Sequence, residues 1–144
     1  MQKKSANEGT LASANEWPAC HAGTLASVRG DVAFCLESMA VCTSLKKVHV
    51  VGDFSREEGD AAATQLGEML ASNTTVEELV MAHCNISQEG VAALCEGLAV
   101  NNILRRLDLQ DNPIRDSGSK RLAAMLEMNR SLAELNLRSC KIHV

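Results

Sequence analysis

The sequence predicts an α/β right-handed solenoid, in which one strand-plus-helix unit repeats with parallel strands on a concave face and helices on a convex one. Three observations predict it. A segment with apolar residues at its first, fourth and sixth positions begins at Leu45, Val76, Leu104 and Leu132, at intervals of 31, 28 and 28 residues. A glycine follows each of the first three starts by fourteen residues, at Gly59, Gly90 and Gly118. An asparagine precedes each later start by three residues, at Asn73, Asn101 and Asn129.

Each element of the unit follows from local chemistry. Val48 and Val50, Leu107 and Leu109, and Leu135 and Leu137 enclose a polar residue, and Leu79 and Met81 keep the same spacing around Val80, as a strand with one buried face requires. Ser117-Gly118 opens a helix, on which Leu122, Met125 and Leu126 form one apolar stripe. Leu66, Leu94 and Leu122 share one core column, and Leu70, Leu98 and Leu126 share another. The asparagine ends the helix and turns the chain back. One strand and one helix cannot bury their own apolar faces, so neighbouring units must stack.

The three extra residues of the first interval fall between Gly59 and Leu66, so the first full helix is expected to be lengthened near its start. Residues 30–44 fit a preceding helix, with Cys35 and Met39 in the core columns. Residues 1–29, with GTLAS at Gly9 and again at Gly23, are expected to be irregular or disordered. The repeat domain is therefore expected over 30–144, with about four strands and an incomplete last repeat.

The stretch Leu104 to Gly118, LRRLDLQDNPIRDSG, resembles the leucine-rich repeat of the ribonuclease-inhibitor-like subfamily. Asp53, Cys84, Asn112 and Cys140 stand nine positions into the units, close to the Asn/Cys alternation of that subfamily. The resemblance covers roughly residues 30 to 144 and is strongest in the last three units. It implies a curved protein-binding surface. Its members also include RanGAP, sensor domains, tropomodulin and ciliary proteins, so fold alone does not select a role.

Composition removes other classes. The net charge is −4, and a chain without a basic surplus is poorly suited to nucleic acid or to anionic lipid. Trp17, Phe34 and Phe54 are the only aromatics, too few for a base-stacking platform. No apolar stretch reaches the ~18–20 residues of a membrane span, and no secretory signal opens the chain, so a cytoplasmic location is expected. The six cysteines form no CxxC pair; they are expected to be reduced packing residues, with no metal and no cofactor. Asn73, Asn85 and Asn129 head N-x-[ST] sequons, of which two are simply the turn asparagine.

No catalytic set emerges. Position eight reads Gly52, His83, Asp111 and Ser139, which puts Asp111 between His83 and Ser139, whereas a nucleophilic triad needs His in the middle. Position three reads Lys47, Glu78, Arg106 and Glu134, and position two reads Lys46, Glu77, Arg105 and Ala133. Both are expected to form cross-strand ion-pair ladders that neutralise themselves. The middle columns are the expected contact surface: His49, Val80, Asp108 and Asn136 at position five, with Val51, Ala82, Gln110 and Arg138 at position seven. Val51, Val80 and Ala82 form an apolar patch there.

The expected function is that of a non-enzymatic scaffold that binds another protein. Alternatives are a structural subunit of a ciliary or cytoskeletal assembly, and a GTPase-activating regulator resembling RanGAP. The last strand, with Leu135 and Leu137, is expected to be an open edge; the favoured expectation is a fragment of a longer array, and the alternatives are end-to-end self-association and capping by a partner.

Overall fold

The computed structural model describes residues 25–29 and 45–143. Five strands, β1 (Leu25–Arg29), β2 (Lys47–Val51), β3 (Glu78–Val80), β4 (Arg106–Asp108) and β5 (Glu134–Asn136), form one parallel sheet in chain order. Helices α1 (Arg56–Ser72), α2 (Gln88–Val100) and α3 (Arg115–Met128) connect β2 to β3, β3 to β4 and β4 to β5. The fold is an α/β leucine-rich repeat solenoid.

The repeat columns read from sequence are the register of the sheet. Lys47, Glu78, Arg106 and Glu134 lie side by side, as do Val48, Leu79, Leu107 and Leu135, and then His49, Val80, Asp108 and Asn136. A slip of one residue would turn the buried aliphatic row outward, so burial fixes the register. Val48, Leu79, Met81, Leu107 and Leu109 point into the core against Leu66, Leu70, Leu94 and Leu98. Each such side chain contributes about 1.5–3 kcal/mol of burial.

Helix starts follow local signals. Ser55 caps α1 in a reciprocal box: its Oγ accepts from Glu58 N at 3.2 Å, and its own N–H donates to Glu58 Oε2 at 2.7 Å. Ser87 caps α2 by accepting from Glu89 N at 3.3 Å. α3 has no side-chain cap. Asn85 and Lys141, ten positions into their units, have φ of 56° and 57°. The third unit has Pro113 there, whose ring forbids positive φ. In that unit the left-handed residue is instead Arg115, with φ of 63°, at the start of α3. As expected, α1 is the longest helix, 17 residues against 13 in α2.

The helix-end asparagines stitch units together. Asn101 Oδ1 accepts from Ile103 N and Leu104 N at 2.9 and 2.8 Å, while its Nδ2 donates to Leu70 O and Asn73 O of the preceding unit at 2.7 and 3.3 Å. Asn129 repeats the pattern on Leu98 O and Asn101 O. These residues have extended backbones, with φ from −77° to −73°. The turn is thus made by the amide side chain and not by a left-handed backbone. Between α1 and α2 the spacing is set by glycine, because a Cβ on Gly97 would run into Gly67 O.

Three expectations change. Leu25–Arg29 is a strand in register with β2, although residues 1–29 were expected to be irregular. Leu25 pairs with Lys47 only 22 residues on, outside the 28–31-residue spacing that reveals the other units. The sheet therefore has five strands, where about four were expected. Leu126 shares a column with the fully buried Leu70 and Leu98 but is 39% exposed, since no further helix covers it among the described residues. The helix expected over 30–44, with Cys35, Met39 and Cys42, lies outside the described residues, as do residues 1–24. No helix among the described residues is long and apolar enough to cross a membrane.

Candidate protein-binding face

The outward face of the sheet carries the predicted contact residues. In β2, Val48 and Val50 are buried while Lys47 and Val51 are exposed and His49 is half-buried. The same alternation sets Val80 and Ala82, Asp108 and Gln110, and Asn136 and Arg138 on the outward side. All eight predicted residues therefore share one face.

Their chemistry differs along the array. Val51 is 42% exposed, and with half-buried Val80 and Ala82 it gives an apolar surface toward β2 and β3. Toward β4 and β5 the face is knitted by hydrogen bonds. Asp108 Oδ1 accepts from Gln110 N at 3.0 Å and from Asn136 Nδ2 at 3.2 Å. Asn136 Nδ2 also donates to Gln110 Oε1 at 3.1 Å, and its Oδ1 accepts from Arg138 N at 3.0 Å. Asp108 is buried by this network, so it shapes the face more than it offers a contact. Arg138 and Lys47 are exposed and make no ion pair among the described residues.

Arg106 anchors the charged column. It lies 3.4 Å from Glu78, 3.4 Å from Glu134 and 3.7 Å from Asp108. Glu78 also meets His49 Nε2 at 3.0 Å. Burial pushes the Glu78 carboxyl up, but the His49 hydrogen bond and the Arg106 and Lys47 charges outweigh it and hold it below the usual carboxylate range. The ladder expected at position three is thus present through Arg106. At position two it is only half formed. Lys46 pairs with Glu77 at 3.2 Å, whereas Arg105 reaches the Ser131 carbonyl at 3.5 Å.

Sequence reading missed two things here. Arg106 also reaches Asp108 on its own strand, and His49 joins the column diagonally through Glu78; strict pairing within columns gave no signal for either. His83 pairs with Asp111 at 3.1 Å, with Ser139 on the far side of Asp111 in the strand order. His83, Asp111 and Ser139 all have positive φ near 57–58°, so this column marks where β3, β4 and β5 turn away from the sheet.

The position-nine column is structural. Asn112 Oδ1 accepts from Cys84 N and Ile86 N at 3.0 Å each, and its Nδ2 donates to Met81 O and Leu109 O at 2.8 and 2.9 Å. Cys140 plays a reduced version, its Sγ donating to Leu109 O at 3.0 Å. Burial pushes the Cys84 thiol up to about 12 and the Cys95 thiol to about 11, so both are inert thiols at neutral pH. Cys84, Cys95 and Cys140 are free and buried.

Comparison with known proteins agrees with this architecture. Residues 72–95 and 100–123 match the family model described as Leucine Rich repeat, so the chain carries leucine-rich repeats. Over 72 residues, half of the chain, it is 34% identical to Leucine-rich repeat-containing protein 45 of Gallus gallus, of which it covers 11%. Over 127 residues, 85% of the chain, it is 30% identical to Tonsoku-like protein of Mus musculus, of which it covers 9%. The chain thus spans about a tenth of the length of these relatives. The solved structure titled Leiomodin-1 Actin-Binding Site 2 matches with a TM-score of 0.65 at 21% identity, over 78% of this chain and 62% of that one. At that identity the likeness is one of fold.

Proposed function

We propose that this chain is a protein-interaction scaffold that grips its partner on the strand face, through Val51, Val80 and Ala82 with His49 and Arg138. One observation carries the reading: apolar side chains stand open beside a charged column in which Glu78, Arg106 and Glu134 are already paired within the chain. An apolar partner side chain seated there would lose water without stripping an ion pair. Asp108, Gln110 and Asn136 keep the neighbouring backbone rigid. The ribonuclease-inhibitor-like subdivision is part of this reading, supported by the full α-helices and by the Asn/Cys column. A cytosolic setting is supported by the three free buried thiols.

The test compares partner retention by the native chain with that of a Val51→Asp/Val80→Asp variant and a Glu96→Lys control on the helix side. A carboxylate forced into an apolar contact is expected to weaken binding by about 2 kcal/mol or more, roughly thirtyfold. Equal retention by all three proteins would overturn the reading. Recovery of a nucleotide-bound GTPase through this face would point to the regulator resembling RanGAP.

A second reading, a structural subunit of a larger assembly joined end to end, rests on the opposite surface. Leu126 and Met128 are 39% and 66% exposed, and Leu132, Leu135, Leu137 and Ile142 are only partly covered. β5 pairs with β4 alone among the described residues. Sedimentation across a concentration series tests this: association weakened by Leu126→Lys supports it, and a monomer at every concentration refutes it.

A further inference from the structure

The rim where the strands hand over to the helices holds a trough that the strand-face reading does not use. Its volume is about 260 Å³. Three cations line it, Arg56, Arg115 and Lys141, and the rest of its wall is neutral, including Asn85, Ser87 and Gln88. No carboxylate lines it, although the chain as a whole carries four more acidic than basic groups.

The acids of this rim are already engaged. Glu89 meets Arg56 at 3.1 Å and accepts from Ser87 Oγ at 2.6 Å. Asp60 accepts from Ser87 N at 2.7 Å, and its other oxygen lies 2.6 Å from Ser87 Oγ, whose single proton it shares with Glu89. Asp116 accepts from His143 N at 2.7 Å. By contrast, the side chains of Arg115 and Lys141 are exposed and have no hydrogen bond or ion pair among the described residues. Both sit on left-handed backbone, with φ of 63° and 57°, a conformation that costs a non-glycine residue energy. The amides that open α1 and α2 are capped by Ser55 and Ser87, whereas α3, which opens at Arg115, has no side-chain cap, so its first amides add to the positive character of the trough's side chains.

We propose that this trough is a second recognition site, which takes an anionic group of a protein partner, a carboxylate or a phosphoryl group, between Arg115 and Lys141 with Arg56 at its edge. The guanidinium of Arg115 supplies a planar fork of donors for two anionic oxygens, and the Lys141 ammonium supplies a mobile point charge beside it. Arg56 is held in place by Glu89 and adds long-range attraction. The apolar patch and this trough lie on different faces of the units, so a partner touching both would wrap around the rim.

The probes are inorganic phosphate, a glutamate-rich peptide and a phosphoserine peptide, each titrated into the whole chain while backbone amide shifts are followed by NMR. Saturable shifts confined to Ser87, Gln88, Arg115 and Lys141 are expected. Arg115→Glu/Lys141→Glu should weaken binding about tenfold or more, and Arg115→Gln/Lys141→Gln by a smaller factor. Raised salt should weaken it as well. Both side chains are exposed, so an unchanged melting curve verifies that the variants fold. Preference for the phosphoserine peptide and for phosphate assigns the site to a phosphoryl group, whereas equal binding of the glutamate-rich peptide assigns it to carboxylates. Shifts that never saturate with any probe, or saturable shifts that survive charge reversal, would overturn the proposal. Neither result bears on the strand face, because Val51 and Val80 are unchanged throughout.

Discussion

The middle unit, from Val76 to Ile103, and the last unit, from Leu132 onward, share one apolar pattern but live in different surroundings. Leu79 and Met81 are fully buried, while Leu135 and Leu137, in the same columns, are partly covered. Glu78 has 19% of its side chain exposed and meets both His49 and Arg106; Glu134, beside Arg106 in register, has 72% exposed. A repeat thus encodes the shape of a unit, but its neighbours decide what each residue contributes.

The largest expected contrast is in the core. Leu98→Ala should cost about 3–4 kcal/mol, since the side chain is sealed between helices and leaves a cavity. Leu126→Ala, one unit later, should cost about 1 kcal/mol, because much of that side chain already meets water. Chemical denaturation of the two variants measures both values, and equal losses would break the comparison.

Next comes the position-nine column. Asn112→Ala removes bonds to Met81 O and Leu109 O and leaves the amides of Cys84 and Ile86 without their acceptor, at a cost of about 3 kcal/mol. Cys140→Ala removes a weaker thiol donor and should cost about 1 kcal/mol. Denaturation with amide hydrogen exchange at Cys84 and Ile86 would check the local effect.

The thiols sharpen the comparison through pH. Burial raises Cys84 from an ordinary value of 9.0 to about 12, and it raises Cys140 as well. A folded pKa above the unfolded one gives stability that is complete below the unfolded value and is lost as pH rises through the folded value. Stability should therefore fall from about pH 9 toward about pH 12. Cys84→Val should flatten that alkaline limb more than Cys140→Val does.

The smallest effect lies at acid pH. The folded pKa of Glu78 is below its ordinary 4.5, so its contribution is present above that value and is lost as pH falls through the lowered one. Glu78→Gln should cost about 1 kcal/mol at neutral pH and should make the acid limb shallower. Glu134→Gln should cost less than that at neutral pH, because the Glu134 side chain is largely solvated.

Much of this was legible in the residues. The alternation of Val48 with Val50, and of Leu79 with Met81, allows one register only once one face is buried. The asparagines at 73, 101 and 129 were visible as turns, although only the structure shows that the side chains of Asn101 and Asn129 bridge to the unit before. The eight residues proposed as contacts fall on one face, because strand alternation is purely local. Their division into an open apolar half and a bonded polar half was not visible, since it depends on side chains from β4 and β5 meeting across the sheet.

By itself, then, the sequence determined the unit: where a strand alternates, where Ser55 and Ser87 start helices, and where asparagine ends them. Those are short-range effects, set within a few residues by sterics, capping and hydrogen bonding. Tertiary structure alone decided the rest. It added Leu25–Arg29 as a fifth strand at a spacing that the repeat does not announce. It left Leu126 in the open while hiding Leu98. It gave Arg106 three carboxylates and gathered Arg56, Arg115 and Lys141, from three different units, around one trough. Burial and charge pairing depend on what stands next to a residue in space, and in a solenoid that neighbour is a whole unit away along the chain.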